Sequence, residues 1–119
     1  MQYEDLLNVK YKVNGRDING MDCYGLVLEC CRRSGFNLHD VVYLDDKVPK
    51  ERIAGYVESL NVREINVPGK NVIVQCVYDG RLHIAFMLDS KLCIHQTYDG
   101  VRLTPVSMRR EKRYFEVIK

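Results

Sequence analysis

Pairs of turn-forming residues divide the second half of the chain into short segments. These pairs are Pro68-Gly69, Asp79-Gly80, Asp89-Ser90 and Asp99-Gly100, and such pairs are typical of hairpin turns. The segments between and beyond them predict strands over Val62–Val67, Asn71–Tyr78, Leu82–Leu88, Leu92–Thr97, Val101–Thr104 and Tyr114–Ile118. Because strands so close in sequence pair antiparallel, this half of the chain is expected to form an antiparallel sheet.

The first half of the chain has the periodicity of helices. Apolar or small residues recur at helical spacing from Cys23 to Ser34, and this spacing predicts a buried helix that Asp22 caps and Gly35 ends. Further helices are predicted for Gln2–Asn8 and for Pro49–Leu60. The expected fold class is therefore α+β, with N-terminal helices packed on a C-terminal antiparallel β-sheet.

Length and charge exclude several classes of protein. The 119 residues are expected to form a single domain over 1–119. The formal net charge of +2 gives no general footprint for nucleic acid, and no apolar run approaches the 18 residues of a membrane span. Because the N-terminus lacks the pattern of a signal peptide, we expect synthesis in the cytoplasm. Five cysteines, an odd number, do not indicate a disulfide framework.

Cys23 is the first candidate for chemistry. It lies in the first turn of the predicted helix, where unpaired amides carry partial positive charge and favour a thiolate. The same amides can hold the oxyanion of a tetrahedral intermediate. A cysteine on the apolar face of a helix is, on the other hand, more often a core residue, so the helix alone does not decide between the two roles.

Two histidines strengthen the case for a reactive cysteine. If the turn between the third and fourth predicted strands uses three residues, His83 and His95 point to the same face of the sheet, one diagonal step apart. One imidazole could then deprotonate a thiol while the other orients the first. A zinc site of Cys23, His83, Cys93 and His95 is the competing interpretation, although paired ligand spacings such as C-x-x-C are absent.

Three segments resemble the NlpC-type cell-wall cysteine peptidases. Asp22-Cys23-Tyr24-Gly25-Leu26-Val27 resembles their Asp-Cys-(Ser or aromatic)-Gly-(Leu or Phe)-Val signature, which opens a helix. Leu82–Leu88 resembles their Gly-His-Val-Gly-Ile-Tyr-Leu strand, with Ala85 where glycine is usual, and His95–Val101 resembles the next strand and its Gly-Val turn. The aromatic residue after the cysteine is similar to the branch encoded in bacteriophage tail operons. The resemblance extends roughly from Tyr11 to Arg113, and residues 39–70 contribute nothing to it.

The resemblance implies a papain-like fold and hydrolysis of an amide in peptidoglycan stem peptides, without a cofactor. It implies that Cys23 is the nucleophile, that His83 is the base and that His95 orients His83. Tyr11 is expected to bind substrate or to support the oxyanion. Asp22 and Tyr24, which flank the nucleophile, are expected to take part in substrate binding.

Three functions compete at this stage. The leading one is a cell-wall peptidase that a phage tail or a related machine delivers, with tail proteins as partners. The second is a catalytically silent tail-assembly component, against which the complete Cys/His/His set argues. The third is an intracellular thiol amidase or acyltransferase, which the sequence does not distinguish from the first.

Overall fold

A computed structural model describes residues 1–40, 60–78, 80–108 and 110–118. The chain starts with a short 3-10 helix, Glu4–Asn8, followed by a two-stranded hairpin of β1 (Arg16–Asp17) and β2 (Gly20–Met21). The helix α1 (Cys23–Arg33) comes next. Among the described residues, no helix has the length and apolar character that crossing a membrane requires.

Six antiparallel strands form the main sheet. They are β3 (Val62–Ile65), β4 (Ile73–Tyr78), β5 (Arg81–Met87), β6 (Leu92–Thr97), β7 (Gly100–Pro105) and β8 (Arg110–Val117). Their order in the sheet is β3-β8-β4-β5-β6-β7, so the last strand is inserted between β3 and β4. A 3-10 helix, Val106–Met108, connects β7 to β8.

The two faces of the sheet carry separate groups of buried side chains. Because side chains alternate along a strand, Ile84 and Phe86 of β5 face α1, whereas Ala85 and Met87 face the opposite side. The apolar stripe of α1 packs on the first face through Leu26, Val27, Cys30 and Cys31. His83 and His95 therefore belong to the face opposite α1.

The fold class predicted from the sequence, papain-like α+β with several N-terminal helices on a sheet, is wrong. The described residues contain one α-helix and a six-stranded antiparallel sheet, so the protein is mostly β. The segment predicted as an α-helix over Gln2–Asn8 is a five-residue 3-10 helix, since a segment this short cannot offset the cost of α-helix nucleation. The helix predicted for Pro49–Leu60 lies, apart from Leu60, outside the described residues.

Candidate active site

The described register pairs of β5 and β6 lie next to the turn that connects these strands. Leu88 donates its backbone N–H to the Leu92 carbonyl at 2.9 Å, and the register continues with Met87 opposite Cys93 and Phe86 opposite Ile94. The turn therefore uses three residues, which is the condition under which the sequence places both histidines on one face. Among the described residues of β5 and β6 the register pairs stop there, one step before Ala85 and His95 would meet.

The start of α1 lies at the opening where the two strands separate. On the β6 side, the Gln96 side-chain amide donates to the carbonyls of Val9, at 3.1 Å, and Met21, at 3.2 Å. On the β5 side, the backbone N–H of Ile84 faces the Cys23 sulfur. The observed register would pair Ile84 with Gln96 one step beyond Ala85 and His95, so the nucleophile candidate occupies the place of the second missing pair.

The orientation of the Ile84 amide follows from strand geometry. Leu88 directs its N–H toward β6, while Met87 donates to the Val72 carbonyl on the β4 side at 2.9 Å. Because these directions alternate along an antiparallel strand, Ile84 also points toward β6. Since the described register pairs of β5 and β6 do not reach Ile84, its N–H is directed into the opening and toward the sulfur.

The sequence Asp22-Cys23-Tyr24-Gly25 fixes the position of Cys23. Asp22 is fully buried and caps α1, since its Oδ1 accepts the Gly25 N–H at 2.8 Å and a bond from the Arg16 guanidinium at 2.8 Å. A glycine is required at position 25, because a Cβ atom there would lie 2.2 Å from the Gly15 carbonyl oxygen. The turn just before β1 therefore packs directly on the first turn of α1.

Burial dominates the ionisation of Cys23. The side chain is 7% exposed, and this burial, together with the Asp22 carboxylate, raises the pKa of the Cys23 thiol to about 12. The backbone amides of Tyr24, Ile84 and Cys23 act in the opposite direction but do not outweigh it. The direction is opposite to the one that the helix N-terminus alone predicts, and the resting thiol is neutral at pH 7.

The two histidines form a buried, hydrogen-bonded pair. His83 Nε2 lies 2.8 Å from His95 Nδ1, and the two side chains are 8% and 0% exposed. The prediction that they share a face and lie within reach of each other is confirmed. Tyr78 packs against both rings, at centroid distances of 5.2 Å and 5.4 Å.

An aromatic pair lies near the cysteine. The Tyr11 and Tyr98 rings meet edge to face at 4.8 Å. Burial is the main reason that the pKa of the Tyr11 hydroxyl is raised, and the negative charge of a Cys23 thiolate adds to it, so the two groups are close. The two tyrosines border a cleft of about 400 Å³, which Lys10 and Arg102 also line.

Other predicted site residues have different surroundings. Tyr24 is fully buried in the core on the α1 side of the sheet. Cys93 is also fully buried, and its Sγ donates to the Thr104 carbonyl at 3.3 Å. Among the described residues, no group of three or more His, Cys, Asp or Glu side chains is arranged to hold a metal ion, so the zinc alternative gains no support.

Sequence reasoning missed three residues near the histidines and Tyr11, namely Tyr78, Tyr98 and Thr104. Thr104 Oγ1 lies 3.2 Å from His95 Nε2. It stands opposite Cys93 in the β6–β7 ladder, and counting back from the Asp99-Gly100 turn would have found this pairing. Alternation along β4 would likewise have placed Tyr78 on the face of Cys76, the partner of His83.

The three segments that carry the resemblance come together in space. Asp22–Val27 spans the cap and start of α1, Leu82–Leu88 covers most of β5, and His95–Val101 runs from β6 into β7. No protein-family model matches the chain, and no curated protein was found that matches it.

Proposed function

We propose that this protein is an NlpC-type cysteine peptidase that hydrolyses an amide bond in peptidoglycan stem peptides. The observation that carries the proposal is the opening between β5 and β6. The sulfur of a helix-terminal cysteine faces the backbone of Ile84 there, and the residue before Ile84 in β5 is a histidine that is hydrogen-bonded to a second histidine. A nucleophile, a base and an orienting group in this order are what acyl transfer requires.

The hydrogen bond between the histidines assigns an atom to each step. Because His83 Nε2 is engaged with His95, Nδ1 of His83 is the atom that takes the proton of the Cys23 thiol. The sulfur attacks the amide carbon, and His83 then gives the proton to the leaving amine as the C–N bond breaks. Water, deprotonated by His83, cleaves the resulting thioester and releases the acid.

Burial determines when the thiol ionises. Since the pKa of Cys23 is raised to about 12, the resting group at this position is a thiol. Proton transfer then accompanies attack on a bound substrate. Backbone N–H groups around the sulfur and the Tyr11 hydroxyl are the available donors to the developing oxyanion.

The cleft beside Tyr11 suits an anionic peptide. Lys10 and Arg102 supply positive charge at its edge, while Asp99 leaves part of it negative. Peptidoglycan stem peptides carry carboxylates, which the positive side chains of the cleft can bind, and an amine on the diamino acid, which the negative side chain can bind. Delivery by a phage tail, with tail proteins as partners after synthesis in the cytoplasm, belongs to the same proposal.

The proposal is tested with purified peptidoglycan and mass spectrometry of the released fragments. We expect new termini at one amide of the stem peptide, and no release by Cys23→Ala. A matched control is Cys31→Ala, which removes another buried thiol two turns further along α1. Equal release by Cys23→Ala would refute the assignment. Turnover of a model thioester without release from the wall would favour the amidase or acyltransferase.

A further inference from the structure

We infer that Thr104 is a positioning residue that sets the tautomers of His95 and His83, so that His83 keeps a lone pair for the thiol proton. The inference rests on the proposed function for its catalytic meaning. Its geometric basis is a continuous series of contacts from His83 through His95 and Thr104 to Cys93, which we call the row. Nothing in the three-residue Cys/His/His set requires this fourth group.

The contacts run through buried or partly buried atoms. His83 Nε2 and His95 Nδ1 are 2.8 Å apart, and His95 Nε2 lies 3.2 Å from Thr104 Oγ1. Thr104 Oγ1 lies 3.6 Å from the Cys93 sulfur, and that sulfur donates to the Thr104 carbonyl at 3.3 Å. Each ring nitrogen in the row therefore has one defined neighbour within it.

Each hydrogen bond in this row needs one proton, so the donors and acceptors can be arranged in two opposite directions along it. In the first, Thr104 donates its hydroxyl proton to the Cys93 sulfur, so its oxygen accepts from His95 Nε2–H. His95 Nδ1 then accepts from His83 Nε2–H, and the proton-free Nδ1 of His83 can act as base. In the second, Thr104 donates to His95, and the proton of neutral His83 sits on Nδ1, where it blocks the reaction.

Two observations favour the first direction. The Cys93 S–H is used on the Thr104 carbonyl, so lone pairs of the sulfur are available to the Thr104 hydroxyl. In addition, once His83 has taken the thiol proton, both its nitrogens carry hydrogen. Only an acceptor at His95 Nδ1 can then face it, whereas the second direction sets one N–H against another. The first direction suits both the resting and the protonated base.

Nitrogen-15 NMR of histidine-labelled protein reads the tautomers without any substrate. We expect neutral His83 and His95 to carry their protons on Nε2. In Thr104→Val, which keeps the shape and removes the hydroxyl, the His95 tautomers should become mixed. The kcat on wall peptide should fall about 10-fold with little change in KM. Thr104→Ser restores the hydroxyl, so it should recover most of the kcat and of the single His95 tautomer.

Each failure has a separate signature. If His83 carries its proton on Nδ1, or if Thr104→Val leaves tautomers and kcat unchanged, the inference is overturned while the peptidase stands. If the tautomers behave as expected but no wall peptide is cut, the proposed function fails and the role of Thr104 in the histidine pair stands. Should Thr104→Val not fold, the tautomers of the unmodified protein decide, because protons on Nε2 of neutral His83 and His95 support the inference and a proton on Nδ1 of His83 overturns it.

Discussion

Alkylation of Cys23 gives the sharpest test of how burial governs this site. An unperturbed cysteine has a pKa of about 8.5, whereas that of Cys23 is raised to about 12. At pH 7 the folded protein should therefore hold roughly 3,000-fold less thiolate at this position than a free cysteine. The greater nucleophilicity of a more basic thiolate recovers roughly 30-fold of this deficit. We expect iodoacetamide to label Cys23 roughly 100-fold more slowly than a model thiol.

The assay follows the rate at Cys23 by peptide mapping from pH 6 to pH 10. The rate should rise with pH throughout, because the thiol remains mostly protonated over this whole range. Cys30, with a pKa also raised mainly by burial, is an internal reference that is fully buried. A preformed thiolate–imidazolium pair would instead give a labelling rate that is constant below pH 7 and as fast as that of a free thiolate. His83→Ala would then abolish this fast labelling. That result would refute the argument that desolvation outweighs the helix N-terminus.

Substitutions at three further places test the histidine pair, the packing of the first turn of α1 and the turn at Asp89. His83→Ala should lower kcat by more than the ~10²–10⁴-fold of ordinary acid–base loss, since this base serves both halves of the reaction; His95→Asn should keep measurable activity and His95→Ala less, and unchanged turnover in His95→Ala would contradict the orienting role. Gly25→Ala, whose Cβ would lie 2.2 Å from a backbone oxygen, should lower the free energy of unfolding in urea by about 1–3 kcal/mol, whereas Gly69→Ala, with only an ordinary 3.8 Å contact, should not. Asp89→Ala should lower the Tm at pH 7, because hydrogen bonds from two backbone amides lower the pKa of Asp89. Because the pKa of Asp89 is lower in the folded than in the unfolded protein, its carboxylate stabilises the fold above the unfolded pKa near 3.8, and this stability is lost as the pH falls through the folded pKa. The difference in Tm should therefore shrink below about pH 4. A difference that stays constant with pH would contradict this role.

Local signals in the sequence were sufficient for α1 and for the register of the histidines. The helix begins at Cys23 as predicted, because Asp22 caps it and its apolar stripe has the period of an α-helix. The β5–β6 register follows from the turn at Asp89, whose side chain accepts the N–H groups of Lys91 and Leu92 at 2.8 Å. Both features depend on residues close in sequence, which a pattern can reveal.

Features that depend on distant contacts were missed. The strand β8 begins at Arg110 rather than Tyr114, since its charged first residues are exposed and no apolar alternation marks them. Its place between β3 and β4 has no local signal at all. The raised pKa of Cys23 likewise comes mainly from burial in the folded protein, which the amides of the helix terminus and of Ile84 do not outweigh, so the helix terminus alone indicated the wrong direction.

The opening between β5 and β6 also bears on the order of folding. The hairpin that carries both histidines closes over a short loop, whereas Cys23 and Ile84 are separated by about sixty residues and meet only after a much larger loss of chain entropy. The hairpin can therefore form first, with its last rungs unmade, and the start of α1 joins it afterwards. Refolding followed by both circular dichroism and activity should show secondary structure returning before catalysis. A partly folded chain in the cell that made it would hold the bases but no positioned nucleophile.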